Sequence, residues 1–386
     1  MSLHDHRPIG IFVHHQGRGH AERCAHLANA LIDYRPVTLF CARDDIFPEL
    51  APAIDLIRIP SLFEPREREA PRLAAMPVPE TLHCAPLGWH AISDAVAALT
   101  GWFASARPAL FLCDVSAEIG QLCRIASVPH IAVLQHGDRD DPAHRASYDA
   151  AAALLAPYHP VLEQPDRPEH LRAKTIYAPG LGIAPFDAGP DARSRIHAPD
   201  GRELVVVIAG GGGQGTPTAP LTLGARAEPD THWIVIGSTF SEWHETPPGN
   251  LELRGWVDNP QDYIAAADRI VSSCGNTTVH QIIQAREAKG ASTRWIAIPE
   301  WRYFAEQERK AEALAAAGLC ASQPVWPSDG AAWAQLWHQA RASDAHHARD
   351  MIDSDAAAVT ACRIDRLARE LWEGAAPLTS QAELAA

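Results

Sequence analysis

The sequence lacks a long apolar run, an excess of basic residues and the short motifs of two common enzyme classes. No stretch of about 18 apolar residues occurs, which argues against a membrane-spanning helix. Lysine and arginine number 33 against 47 aspartates and glutamates, giving a formal net charge of −14. Phosphate backbones demand the opposite balance, so we expect no nucleic-acid partner. Neither a GxxxxGK[ST] phosphate loop nor a GxSxG nucleophile motif is present.

The cysteine pattern and the N-terminal residues bear on the compartment. The eight cysteines form no CxxC pair, which argues against both a disulfide framework and a zinc knuckle. The first 15 residues begin with mixed polar residues and lack the apolar h-region and small-residue cleavage site of a signal peptide. We therefore expect a cytoplasmic protein, either free or in peripheral contact with the inner membrane face.

What the sequence does contain is an alternation of strand and helix patterns that runs twice. Apolar residues make up 47% of the 386 residues, enough for two cores. The alternation covers residues 9–178 and restarts at residue 203. Strands separated by helices form parallel sheets with right-handed crossovers. The sequence therefore predicts an α/β protein with two Rossmann-like parallel-sheet domains that face each other across a cleft.

The composition between the two halves sets the expected boundaries. Residues 183–202 are rich in proline, glycine and aspartate and have no periodicity, which is typical of a linker. We expect an acceptor-binding domain over residues 1–183, a linker over 184–202 and a donor-binding domain over 203–355. A helix over 356–373 is a candidate to cross back to the first domain, and residues 374–386 are expected to form a flexible tail.

A glycine-rich stretch at residues 210–215 follows an apolar strand pattern and matches GxGxxG. A dinucleotide site of this kind needs a helix at the loop and an acidic residue about 20 positions on. Glu228 and Asp230 lie near that position but precede the next strand. A flexible loop is a second interpretation. We favour a third, in which the bare backbone N–H groups of Gly211, Gly212 and Gly213 approach a diphosphate.

A second loop of small residues, 272–278, ends a strand pattern and begins a helix pattern. A helix N-terminus offers unpaired N–H groups and a partial positive charge, which suit an anion. Asn276 or Thr277 could equally be a simple N-cap. The second glycine loop in the same domain favours phosphate binding.

The second half resembles a known enzyme family. The residues that carry the resemblance are Gly255-Trp256-Val257, the stretch 272–281, Ile298-Pro299-Glu300, Phe304-Ala305-Glu306-Gln307 and Gly318. They look like the C-terminal half of nucleotide-sugar glycosyltransferases of the GT-B fold, such as the lipid II N-acetylglucosaminyltransferase and macrolide or plant small-molecule glycosyltransferases. The likeness covers residues 200–320 well and the first half more weakly.

The resemblance implies a role for each matching position. The backbone at Trp256 and Val257 would meet the donor base, and Glu306 and Gln307 would bind the hydroxyls of the donor sugar. Gln281 stands where the family usually has a glutamate that holds the ribose, a departure that still leaves an amide able to bond to hydroxyls. The remaining donor contacts implied are Gly19, Gly275, Asn276 and Thr277.

In the first half, residues 16–23 follow the first strand pattern and resemble the GxGHxxR loop of GT-B transferases and of nucleotide-sugar hydrolases of the same fold. Attack by a hydroxyl on a sugar C1 needs a base, and neutral imidazole is suited to that near pH 7. His20 is the candidate base. Asp114 ends another strand pattern and is its candidate partner, as in plant-type members. The competing interpretation of His20 is a helix-cap or surface histidine.

These features favour an inverting hexosyl- or N-acetylhexosaminyl-transferase that takes its sugar from UDP or another nucleoside diphosphate. The scheme requires no metal and no cofactor besides the donor. The acceptor would be a small molecule, a glycan or a lipid-linked sugar, held in part by the proline-rich loop 60–90. A hydrolase in which His20 activates water is the alternative, followed by a non-catalytic nucleotide-sugar-binding protein. We interpret the DxD formed by Asp138, Arg139 and Asp140 as a capped or solvated loop.

Overall fold

The computed structural model describes residues 7–65, 70–186, 189, 191–210, 213, 215–241, 246–289, 293–341 and 350–373. Two parallel β-sheets organise this part of the chain. Within the described ranges, no helix combines the length and the apolar character needed to span a bilayer.

The first sheet comes from the first half of the chain. Its strands are β1 (Ile9–Val13), β2 (Val37–Cys41), β3 (Ile54–Arg58), β4 (Leu110–Cys113), β5 (His130–Val133), β6 (Ala153–Ala156) and β7 (Thr175–Tyr177), in the spatial order β3-β2-β1-β4-β5-β6-β7. The helices around it are α1 (Arg18–Leu31), α2 (Pro71–Ala74), α3 (His90–Ala106), α4 (Ala117–Ile125), α5 (Pro142–Ala150) and α6 (Glu169–Arg172), with a short 3₁₀ turn at Pro160–Leu162.

The second half forms the second sheet and a two-residue ladder. The strands are β8 (Glu203–Ile208), β9 (Thr216–Pro217), β10 (Thr231–Ile236), β11 (Thr239–Phe240), β12 (Leu251–Gly255), β13 (Arg269–Ser272), β14 (Arg294–Ala297) and β15 (Ala321–Ser322). The main sheet has the order β12-β10-β8-β13-β14-β15, and β9 pairs with β11. The helices are α7 (Ala192–Arg195), α8 (Thr218–Ala227), α9 (Pro260–Ala266), α10 (Asn276–Lys289), α11 (Glu306–Ala316), α12 (Gly330–Arg341) and α13 (Ala356–Glu373).

Both sheets share one strand order. Counted from its own first strand, each sheet runs 3-2-1-4-5-6, with one further strand at the edge of the first sheet. Strands β1, β2 and β8 are buried along their whole length or nearly so, as expected for parallel strands covered on both faces. This confirms the predicted α/β class with two Rossmann-like sheets. It also creates a switch point in each sheet, at β1/β4 and at β8/β13, where ligands of such folds bind beyond the carboxyl ends.

The last helix, α13, packs on the first sheet's side of the molecule. Ala361, Ile364 and Ala368 are buried in the core that α1 also lines. Asp365 forms an ion pair with Arg35 at 2.6 Å, and both side chains are buried. The chain therefore returns from the second sheet to the first.

At two places the observed secondary structure differs from what the local sequence favours. The sequence predicts one helix over residues 143–155, but α5 ends at Ala150 and the run 153–156 is strand β6. Alanine-rich stretches pack in either element, so pairing with β5 and β7 decides. Pro217 and Pro220 crowd the start of any helix at this point of the sequence, yet α8 begins at Thr218. Pro220 lies in the first turn, where its missing N–H would have had no intrahelical partner.

Candidate functional site

The candidate base and its partner lie at the switch point of the first sheet. His20 is in the first turn of α1, which begins after the β1 loop, and Asp114 directly follows β4. The turn into α1 passes through Gly17, whose φ of 100° is in the region that favours glycine. Because β1 and β4 are neighbours, residues 94 positions apart come together at one sheet edge.

The two side chains form a hydrogen-bonded pair. Nδ1 of His20 lies 2.8 Å from Oδ2 of Asp114. Asp114 is fully buried, whereas 20% of the His20 side chain is exposed. A carboxylate accepts only, so Nδ1 carries the proton and the Nε2 lone pair remains for a substrate. That is the arrangement that a general base needs.

The charge of Asp114 is held by its surroundings. Burial opposes ionisation, but the Arg23 guanidinium and His20 more than offset it and hold the pKa of Asp114 well below its usual range. The backbone N–H of His14 also donates to Oδ2, at 3.3 Å. His14 lies beside His20, and burial together with the His20 charge lowers the pKa of His14 to about 4. The environment thus contains one ionised carboxylate and a neutral neighbouring imidazole near neutral pH.

Arg23 contacts the candidate pair, and the sequence interpretation gave it no role. Its Nη2 donates to Oδ1 of Asp114 and lies 3.1 Å from Nδ1 of His20. Both Arg23 and Asp114 are buried, so this is a buried ion pair. The signal was present, because Arg23 stands three residues after His20 on the same helix face.

The first turn of α10 lies opposite residues 16–20, the turn into α1 that we call the His20 loop. A Cβ placed on Gly19 would lie 3.7 Å from Oγ1 of Thr277, so the two loops nearly touch. A Cβ on Gly275 would meet no atom within 4 Å, which leaves space at the helix N-terminus. Asn276 begins the helix and accepts a hydrogen bond from His280 through its backbone oxygen. The structure thus brings together His20, Gly19, Gly275, Asn276 and Thr277.

The glycine-rich loop lies at the same edge of the second sheet, after β8. Gly211 and Gly212 fall outside the described residues. A Cβ on Gly213 would lie 2.0 Å from Oε2 of Glu300, so the backbone passes directly over that carboxylate. The loop leads into the short strand β9 and not into a helix, which removes the helix that a dinucleotide motif requires at this point.

Glu306 and Gln307 begin α11 at the cleft. Glu306 lies 3.4 Å from Nη2 of Arg139, a residue of the first half of the chain. Oε1 of the buried Gln307 accepts hydrogen bonds from the backbone N–H of Cys274 and of Glu300, at 2.9 and 3.0 Å. Both lone pairs of that oxygen are used, so a contact to a sugar falls to the amide nitrogen. Gln307 thereby joins the loops that follow β13 and β14.

The other predicted donor residues lie around this centre. Trp256 follows β12 and is 66% exposed. Val257 is partly buried against a hydrophobic cluster to which both halves of the chain contribute. Gln281 lies on α10, one turn after Thr277, and is half-buried. These side chains are near the carboxyl edge of the second sheet but have no described contact with His20 or Asp114.

Arg139 connects the two halves at the cleft, which the sequence interpretation missed. Its guanidinium donates to the backbone oxygen of His136 at 3.0 Å and to Oε1 of Gln135 at 2.8 Å, and it lies over the Phe304 ring. The backbone N–H of Asp138 donates to the Phe304 oxygen at 2.6 Å. The two contacts with Phe304 join loops more than 160 residues apart, so no local sequence pattern predicts them.

Phe304 and Ala305 occupy an unusual backbone conformation just before Glu306. Their φ angles of 61° and 50° place two consecutive non-glycine residues in the left-handed region. Each such residue costs of order 1–3 kcal/mol, and such strain is concentrated at functional sites. This bend separates a 3₁₀ turn at Tyr303–Ala305 from α11, which begins at Glu306.

An open cavity adjoins the His20 loop at the carboxyl ends of β1, β2 and β3. Its volume is about 680 Å³, within the range of small-molecule sites. Most of its lining is polar, with His15, Gln16, Arg43, Arg58, Ser61 and Glu64 among its side chains.

Among the described residues, one group has the donor types of a metal site: His83, Asp141 and His144. The Asp141 carboxylate caps α5 and accepts from both imidazoles. Nη1 of Arg139 lies 3.0 Å from Nε2 of His144, which fixes the proton of His144 on Nδ1. The ring nitrogen that would face a metal therefore already donates to Asp141, so the arrangement fits a hydrogen-bond network. In the DxD sequence, Asp138 pairs with Arg309 and Asp140 with Arg145.

Comparison with known proteins gives a result at the level of structure. No protein-family model matches the chain, and no curated protein matches it significantly. A UDP-glucosyltransferase from Polygonum tinctorium capable of glucosylating indoxyl is similar at a TM-score of 0.65 and 12% identity, over 94% of this chain and 99% of that chain. The glycotransferase of kitacinnamycin gives 0.59 and 17%, over 93% and 98%. MurG from Acinetobacter baumannii gives 0.58 and 11%, over 94% and 99%.

At these identities the likeness concerns the fold, and it extends over nearly the whole of each chain. Both the sheet order and the pairing of two parallel-sheet domains agree with it. The chain therefore has the GT-B fold of these glycosyltransferases, as the sequence resemblance predicts.

Proposed function

We propose that this chain is an inverting glycosyltransferase that moves a sugar from a nucleoside diphosphate, with UDP the expected nucleotide, to an acceptor hydroxyl. The observation that carries the proposal is the placement of the His20–Asp114 pair opposite the N-terminus of α10, where Gly19 approaches Thr277. A base on one side and a site for a leaving anion on the other are the two elements that this reaction needs.

In the proposed reaction, Nε2 of His20 accepts the proton of the acceptor hydroxyl. The acceptor oxygen forms a bond to C1 of the sugar, the bond from C1 to the diphosphate oxygen breaks, and its electron pair leaves with the nucleoside diphosphate. Attack from the face opposite the leaving group inverts the configuration at C1. Asp114 orients the imidazole through Nδ1 and stabilises the imidazolium that forms.

The leaving diphosphate would be held by the N-terminus of α10, where fixed N–H groups and the helix dipole favour negative charge. This scheme assigns charge compensation to protein groups and calls on no metal or further cofactor. The other donor contacts follow the family resemblance: Trp256 and Val257 at the base, Gln281 at the ribose, Glu306 and Gln307 at a hexosyl or N-acetylhexosaminyl group, and the loop with Gly211, Gly212 and Gly213 at the diphosphate.

The acceptor would enter the 680 Å³ cavity beside the His20 loop. His15 and Gln16 line it and lie just before α1, whose first turn contains His20, so we place the acceptor next to the base. We propose a small molecule, a glycan or a lipid-linked sugar as the acceptor. A lipid-linked acceptor would require peripheral contact with a membrane.

The donor assignment is tested by melting temperature in the presence of UDP, TDP, GDP, CDP and NAD⁺. A ligand at about 100 times its Kd adds about 2.7 kcal/mol to the free energy of unfolding. We expect UDP or TDP to raise the melting temperature and NAD⁺ to leave it unchanged. A rise with NAD⁺ alone, or with none of the five, would contradict the proposal.

Transfer itself is tested by incubation with UDP-glucose or UDP-N-acetylglucosamine and a set of small-molecule acceptors. We expect release of the nucleoside diphosphate to depend on the acceptor and to yield a glycosylated product. Release at the same rate with and without acceptor, and with free sugar as the product, would instead indicate a hydrolase.

A further inference from the structure

A buried lysine lies between the first turn of α10 and Glu306. Lys310 is one helical turn after Glu306 on α11 and is 4% exposed. Its Nζ lies 3.4 Å from Oδ1 of Asn276 and 3.9 Å from Oε1 of Glu306. Lysine is almost never fully buried unless it is paired. Here the carboxylate contact is longer than a hydrogen bond, so the ammonium is only weakly compensated.

Among the described residues, Glu306 is the carboxylate within 4 Å of Lys310, and it is shared. Glu306 also faces the buried Arg139 guanidinium, at 3.4 Å. Two buried cations, Lys310 and Arg139, therefore share one carboxylate. Burial lowers the pKa of Lys310, while Glu306 opposes that effect. A negatively charged ligand would supply the missing compensation.

A second observation points to the same place. Ser273 directly follows β13 and is 6% exposed, and among the described residues its hydroxyl has no hydrogen-bond partner. A Cβ on Gly210, at the end of β8, would lie 3.5 Å from this hydroxyl. The hydroxyl thus lies between the two glycine loops at the second switch point, and buried hydroxyls normally have a partner.

We propose that Lys310 and Ser273 complete an anion site at the N-terminus of α10 and that this site takes a phosphate of the donor's diphosphate. The inference rests on the proposed function. Lys310 donates from Nζ to a phosphate oxygen, and Ser273 donates its hydroxyl proton. As the bond from C1 to the diphosphate breaks, negative charge grows on the phosphate, and a buried ammonium stabilises it more than an exposed one would.

The test compares Lys310→Met with wild type by calorimetric titration of UDP, pyrophosphate and uridine. We expect the Kd of UDP and of pyrophosphate to rise by about 10- to 100-fold, the usual cost of a lost charged hydrogen bond. The Kd of uridine should change less than about twofold, because uridine carries no phosphate. Lys310→Arg should recover part of the loss, and Ser273→Ala should weaken the binding of UDP and of pyrophosphate but not that of uridine.

Lys174→Met is the matched control. Lys174 donates to the backbone oxygens of Tyr148 and Ala151 ahead of β7, at the amino edge of the first sheet and away from the cleft. The Lys174→Met variant should bind UDP with the same Kd as wild type. An equal loss of UDP and uridine binding in Lys310→Met, or no loss of either, would overturn the proposed site.

The two proposals can fail separately. If wild type binds neither UDP nor any other nucleoside diphosphate, the proposed function fails. If wild type binds UDP and Lys310→Met binds it equally well, only the anion site fails. If the loss appears only with a donor whose sugar carries a carboxylate, and not with UDP or pyrophosphate, Lys310 faces the sugar and the phosphate assignment is wrong.

Discussion

The buried pair of Arg23 and Asp114 makes the site sensitive to a single change of charge. Asp114→Asn keeps the shape of the side chain but leaves the buried Arg23 guanidinium without its carboxylate. Removing one partner of a buried ion pair costs about 3–5 kcal/mol. For a domain of roughly 180 residues, each kcal/mol lowers the melting temperature by about 2–4 °C, so we expect a fall of about 6–20 °C.

Equilibrium unfolding in urea measures this effect, and a double-mutant cycle isolates it. Arg23→Met alone should also be strongly destabilising, because Asp114 then keeps a buried charge. The variant with both substitutions contains neither charge and should be more stable than the sum of the single effects predicts. Asp140→Asn is the control, since the exposed Asp140 is 3.4 Å from the exposed Arg145 and should matter by less than about 1 kcal/mol.

Either of two results would contradict this prediction. Losses below about 1 kcal/mol in both single variants would mean that the pair is hydrated or not formed. Strictly additive losses in the double variant would mean that the two charges do not interact. A folded Asp114→Asn protein should also lose turnover, because His20 loses the group that orients it, while donor affinity should stay close to that of wild type.

Three further predictions concern pH, the cleft contact and the glycine loop. Burial lowers the pKa of His130 and His280 from 6.5 to about 4, so between pH 6.5 and 4 only the unfolded chain takes up these protons. As the pH is lowered from 6.5 to 4, the free energy of unfolding should therefore decrease by about 1.4 kcal/mol per pH unit for each histidine. Urea midpoints measured across this range test it, and a midpoint that does not change with pH would contradict it. Arg139→Gln should lower the free energy of unfolding by about 2–3 kcal/mol through lost buried hydrogen bonds; an unchanged urea midpoint would refute it. Gly213→Ala should lower the free energy of unfolding by no more than about 1 kcal/mol, because the added Cβ meets only the end of the Glu300 side chain, which can turn away at the cost of its ion pair with Arg302; a larger drop in the urea midpoint would contradict it.

The two sheets could be predicted because parallel strands that are buried on both faces appear as continuous apolar runs. Residues 205–208 are an example, and they lie in β8. Strands of two residues, such as β9 and β15, are too short to carry such a pattern and depend on tertiary pairing. The helix–strand error at residues 143–155 has a related cause, because alanine and leucine are compatible with both elements.

The residues of the candidate site likewise fall into those that a local pattern predicts and those that depend on tertiary packing. His20 and Asp114 could be proposed from sequence because each follows a strand pattern, and the parallel-sheet rule brings such positions to one edge. Arg139 contacts Glu306, and Lys310 contacts Asn276. Both contacts depend on how α11 packs against the loops of the first sheet and against the start of α10. No periodicity in the chain encodes that meeting, so these residues emerged only from the structure.

The role of His20 is tested most directly by single-turnover release of nucleoside diphosphate by wild type and by His20→Ala. Both proteins are saturated with donor and mixed with the same acceptor, one that wild type glycosylates in the transfer assay. We expect the rate to be lower by about 10²–10⁴-fold in His20→Ala. We also expect a donor Kd within about twofold of that of wild type, since His20 acts on the acceptor. Release by His20→Ala at the wild-type rate would contradict the claim that this histidine is the base.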